Sequence, residues 1–94
     1  FVSTTVTSNN YIIQVANGDD TMAGVAIVAN DSDNSASIFE TAATSDTITM
    51  NGTTTGGLLG ATAEIQDVAS NVFSVVLRGA ATGSEATPFS AAVS

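Results

Sequence analysis

Between Asp46 and Gly79 the sequence DTITMNGTTTGGLLGATAEIQDVASNVFSVVLRG holds several runs that alternate apolar and polar side chains with a period of two, the spacing of a half-buried β-strand. The pattern is clearest over Val72 to Arg78, where Phe73, Val75 and Leu77 share one face and Val72, Ser74, Val76 and Arg78 the other. Ala61, Ala63 and Ile65 alternate in the same way with Thr62, Glu64 and Gln66. Asp67 to Asn71 between them is a loop of hairpin length, so the two runs are expected to pair antiparallel. Upstream, Ile48 and Met50 alternate with Thr47 and Thr49, and Asn51-Gly52 marks a turn from which Thr53 to Thr55 begins a returning strand. Gly56, Gly57 and Gly60 interrupt regular structure around Leu58 and Leu59, letting the strand bend or two backbones approach.

The remainder of the chain reads in the same terms. Val2, Thr4 and Val6 fall on one face of a predicted edge strand over Val2 to Thr7. Ser8-Asn9-Asn10 is a turn, and Tyr11 to Val15 is a β-branched and aromatic run expected to be well buried. Asn17-Gly18 favours a type I′ turn, with Asp19 and Asp20 in water. Met22 to Ala29 is nearly continuous in small apolar residues and reads as a strand buried on both faces, a short helix being the other option. Asn30 to Ala36 is polar and aperiodic, an exposed loop, and Ser37 to Glu40 a short strand. The tail from Gly79 opens as a flexible link and closes on Pro88, Phe89 and Val93; residues 80–94 read as a C-terminal arm anchored by Phe89, or as a segment folded back on its own domain.

A chain of 94 residues builds one small domain, in the size range where the core is thin and neighbouring copies often supply the missing burial. Its apolar residues are mostly Ala, Val and Ile, with four Phe, one Tyr and no Trp. One Arg against nine acidic residues gives a net charge of −8, which opposes phosphate backbones and argues against nucleic-acid binding. With no Cys there is neither a disulfide framework nor a thiolate metal site, and no apolar run nears the length of about 20 residues needed to span a bilayer. No signal-peptide pattern occurs within the sequence. It starts at Phe1 in a strand-like run, so the expectation is of a fragment whose upstream residues are missing.

Catalysis would have to rest on carboxylates, hydroxyls and one Arg, since the abundant Ser and Thr have no His or Lys to activate them. Paired carboxylates can hydrolyse glycosides, but such sites need a cleft for the sugar, for which the chain has little volume, and usually aromatic platforms. Asp31-x-Asp33-x-Ser35 imitates the start of an EF-hand loop, yet Ala36 and Ala42 occupy the positions that need Gly and a bidentate Glu. The glycine-rich joint lacks the Lys of a phosphate-binding loop. The expectation is of a non-enzyme with no cofactor and no metal. Arg78 is expected to pair with Glu64 across the hairpin or with an acidic group of a neighbouring subunit.

The Asp-Thr-Ile-Thr strand, the Asn-Gly turn, the Gly-bearing return, the acidic strand and the closing hydrophobic strand together resemble small β-rich virion proteins of tailed bacteriophages, the head decoration (cement) proteins and head-fibre modules. The earlier FVSTTVTSNNYIIQVANGDDTMAG is similar to the upstream half of such modules, so the likeness covers nearly the whole chain. The resemblance implies a trimeric or otherwise symmetric protein on the capsid surface, with the major capsid protein as partner, where many weak contacts add through avidity.

The sequence therefore predicts a single all-β domain over residues 1–94, a small antiparallel β-sandwich or barrel, serving as a capsid decoration protein that bridges capsid subunits. Partner contacts are expected at Val2, Thr4 and Val6, at Asp31 and Asp33, at Arg78, and at Pro88 and Phe89. The alternative is an extracellular, pilin-like filament subunit in which a terminal strand such as Val2 to Thr7 completes the sheet of the next copy. A carbohydrate-binding module is disfavoured by the scarcity of aromatic residues.

Overall fold

The computed structural model describes residues 1–93. Seven strands form two sheets: β1 (Tyr11–Gln14), β2 (Thr21–Asn30), β3 (Ala36–Glu40), β4 (Thr47–Met50), β5 (Thr62–Ala69), β6 (Val72–Ala81) and β7 (Phe89–Ser90). The smaller sheet has the order β1-β4-β7 and the larger β3-β2-β6-β5. Their inner faces meet in one core. Ile48, Met50 and Phe89 come from the smaller sheet, and Met22, Ala26, Val28, Val75 and Leu77 from the larger. The predicted all-β sandwich is what the chain forms.

Every pairing is antiparallel except the central one, in which β2 and β6 run parallel through a ten-residue register from Thr21↔Val72 to Asn30↔Ala81. A parallel pair needs a crossover. Here it is supplied by β3, β4 and β5, which carry the chain into the other sheet and back. Gly24 sits where the two central strands touch. A Cβ there would overlap the Val75 carbonyl oxygen, so only glycine fits.

Several local expectations change. Residues 2–7 form no strand. Val2 and Val6 point into the core and hydrogen-bond the glycine-rich loop instead of a strand: Val2 N donates to Ala61 O at 2.7 Å, Gly60 N to Val2 O at 2.8 Å and Val6 N to Gly57 O at 3.0 Å. Thr4, expected on their face, is exposed because the chain bends between them. β1 is an outer strand rather than a buried one, with Tyr11 and Ile12 exposed. No residue of Asn17–Asp20 has the positive φ of a type I′ turn. Asn17 Oδ1 instead accepts from Asp19 N at 3.0 Å, and the turn passes the chain from one sheet to the other.

At Asn51-Gly52 a turn forms, with Gly52 at φ 85°, but no strand returns from it. Asn51 Oδ1 accepts from Thr53 N at 2.8 Å and Thr55 N at 3.2 Å, which satisfies those donors inside the loop and leaves nothing to start a ladder. β5 runs through a bulge between Asp67 and Ala69 to a two-residue turn at Ser70 and Asn71, where Asn71 takes φ 63°. The predicted loop over Asp67 to Asn71 is mostly strand because the ladder with β6 continues past the bulge.

The arm reading of residues 80–94, of which Ser94 lies outside the described residues, is replaced over residues 80–93. Ala80 and Ala81 belong to β6, and β7 adds to β4 with Phe89 opposite Ile48 and Ser90 opposite Thr47. Phe89 is 8% exposed and packed in the core, so the tail folds back on its own domain. Asp46, fully buried, closes this corner: its Oδ1 accepts from Thr47 Oγ1 at 2.9 Å and Val93 N at 3.1 Å, and its backbone N donates to Ser90 O at 2.9 Å.

Candidate interaction surfaces

β2 sets the character of the larger sheet. A strand with small apolar residues at both parities reads as buried on both sides, yet the chain buries one side only. Met22, Ala26 and Val28 lie in the core, whereas Ala23, Ile27 and Ala29 are exposed. The neighbouring strands carry the same imbalance. On the outer face the register aligns Ile38, Ile27, Arg78 and Thr62 in one row across the four strands, and Glu40, Val25, Val76 and Glu64 in the next. Ile38 is 67% exposed and Ile27 39%. The result is an aliphatic face with one cation near its middle and a carboxylate on each flanking strand.

Arg78 pairs with Glu64 at 3.5 Å, diagonally across β5 and β6, as the first of its two expected arrangements. Both side chains are more than half exposed, so the pair contributes about 0 to 1 kcal/mol.

A second surface lies where the sandwich is open. β1 is the outer strand of one sheet and β5 the outer strand of the other, and among the described residues no strand bridges them on that side. Three adjoining depressions follow the inward row of β5. The first, about 400 Å³, has Phe1, Ile12, Ile13, Met50 and Ala63 in its walls. Ile13 also borders the second, about 230 Å³, with Val15, Met22, Ile65, Phe73 and Asp20. Phe73 and Asp20 continue into the third, about 500 Å³, which also contains Asp67 and Asn71.

The acidic loop between β2 and β3 is exposed and internally bonded. Asp33 Oδ1 accepts from Ser35 N at 2.9 Å and from the Ser35 hydroxyl, while Asn30 Nδ2 donates to Ser35 Oγ at 2.7 Å. The Ser35 hydroxyl and then its amide hold the Asp33 carboxyl below its ordinary value. Asp31 stands in the same loop, and the described residues hold no group of three or more acidic side chains able to share a metal ion.

The residues picked out in the sequence therefore divide. Val2, Val6, Pro88 and Phe89 are buried within the protomer, so their side chains are not offered at its surface. Thr4, Asp31, Asp33 and Arg78 are exposed, on three separate elements: the N-terminal segment, the β2–β3 loop and β6. Sequence reading missed Ile27, Ile38 and Ile65 as surface groups, although the double-sided apolar pattern of Met22 to Ala29 was a signal for Ile27. Comparison with family models, curated proteins and solved structures finds no match to this chain.

Proposed function

We propose that this protein is a non-catalytic virion surface protein, a capsid decoration module whose copies associate through the outer face of the larger sheet and stabilise the shell by bridging capsid subunits. The observation that carries the reading is β2, apolar at both parities but covered on one side only. Burial of apolar surface is the main driving force for association, and a second layer on Ile27, Ile38, Val25 and Val76 supplies the burial that the sequence pattern calls for. With strands of five, ten, ten and eight residues about 4.8 Å apart and rising about 3.3 Å per residue, the face measures roughly 500 Å² in plan. That is about two thirds of the roughly 800 Å² per partner of a standard interface.

Charge is arranged to suit. Copies of net charge −8 repel at long range, but a neighbour presenting the same face brings a second set of carboxylates, Glu40 among them, towards Arg78. The exposed Asp31 and Asp33 loop remains for the capsid, where repetition turns weak contacts into avidity. The filament alternative loses its expected donor, since Val2 and Val6 already serve their own core.

The test is to image the purified protein alone and to co-sediment it with empty heads of tailed bacteriophages. Discrete symmetric oligomers that label the shells are the expected result, and filaments formed without shells would overturn the reading.

A further inference from the structure

The open side of the sandwich carries an inference independent of how copies associate. We propose that the seam between β1 and β5 binds an extended, cationic segment of a different protein by strand addition along β5.

Three features define the occupant. The first is the edge itself. β5 pairs with β6 on one side, and among the described residues no hydrogen bond from elsewhere in the chain reaches the backbone of Thr62 to Gln66 on the other. An uncovered edge strand is a template for an added strand. The second is the period. The three depressions follow Ala63, Ile65 and Asp67, alternate residues of one strand face, so their spacing matches that of alternate side chains in an added strand, about 6.6 Å. Main-chain bonds to an edge, with pockets for every second side chain, constitute the β-augmentation mode of peptide recognition.

The third feature is polarity. The first two pockets are walled mainly by aliphatic and aromatic side chains, Ile13, Met22, Ile65 and Phe73 among them. The last holds Asp20 and Asp67 with no cationic side chain in its lining. The complement is a segment with apolar, apolar and basic side chains at every second position. This chain cannot supply it: its one cation, Arg78, lies on the opposite face of the larger sheet, within a central strand and paired to Glu64. A second copy offers no basic side chain on a free strand either, since its Arg78 lies within the same central strand. The occupant is therefore another protein.

Capped heptapeptides TVTITKT and TKTITVT, which place the basic residue at the Asp67 end in the parallel and antiparallel directions, probe the seam in an NMR titration of the full chain. One of the two is expected to saturate, with the amide shifts concentrated on Ala63 to Asp67 and Ile13. Replacing its Lys by Glu should weaken binding about tenfold, because attraction to Asp20 and Asp67 becomes repulsion. Ile65→Glu, at a side chain 43% exposed, should abolish binding while the spectrum stays dispersed. Asp67→Asn gives the same answer from a conservative change, by narrowing the difference between the Lys and Glu peptides. Equal binding of the two, shifts centred on β3 instead, or no saturation by either direction would overturn the proposal. So would self-association that Ile65→Glu removes, since the occupant would then be a second copy.

Discussion

Phe89→Ala tests whether the C-terminal segment is structural. Phe89 is 8% exposed, faces Ile48 across the β4–β7 pair and belongs to the central cluster. Truncating a core Phe to Ala costs about 3 to 5 kcal/mol, through lost transfer energy and the cavity left behind. β7 is only two residues long and lies at a sheet edge, where the chain relaxes more easily, so the lower end, about 3 kcal/mol, is expected. At roughly 0.05 to 0.15 kcal/mol per residue, a domain of this length has about 5 to 14 kcal/mol of stability to lose. The melting temperature should fall by about 12 to 24 °C, at about 4 to 8 °C per kcal/mol for a domain of this size. Urea unfolding followed by far-UV circular dichroism reads the loss as a lower midpoint with an unchanged slope. A change under about 1 kcal/mol would refute the reasoning, because so small a cost belongs to an exposed side chain.

Two further outcomes test other parts of the fold. Gly24→Ala should prevent the β2–β6 ladder from closing, because the added methyl meets the Val75 backbone and not a side chain that could swing away. A folded, dispersed NMR spectrum for that variant would show the parallel pairing to be wrong. In the β2–β3 loop the Asp33 carboxyl should titrate below its ordinary value, and Ser35→Ala should bring it back up, as read by NMR titration. Because folding lowers this value, the contribution of Asp33 to stability is present above the unfolded value and is lost as pH falls through the folded one; an Asp33 titration unmoved by Ser35→Ala would contradict the assignment.

Strict alternation made β5 and β6 legible, since Phe73, Val75 and Leu77 can share a buried face only in an extended chain. The partner of β6 on its other side was not legible: β2 lies more than forty residues upstream, and nothing local to Met22 to Ala29 specifies a parallel neighbour. Val2 and Val6 misled for a related reason. Their spacing fits a strand, but the groups they bond belong to the Gly57 to Ala61 loop, whose path depends on positive φ at Gly57 and Gly60. Asp46 reads in sequence as a polar residue before a strand, and its burial depends on Val93 arriving from the far end of the chain. The interaction surfaces were half legible. The sequence showed that both faces of β2 are apolar, and only the structure showed which one the chain leaves uncovered.

Sedimentation velocity on the native chain beside the Ile27→Glu/Ile38→Glu double variant tests the central claim most directly, that the outer face of the larger sheet is where copies meet. Both positions are exposed in the protomer, so the variant should keep its fold, with each substitution changing stability by no more than about 0.5 kcal/mol. The native chain is predicted to sediment as a symmetric oligomer and the variant as a folded monomer. A native chain that stays monomeric, or a variant that still assembles, would contradict the claim.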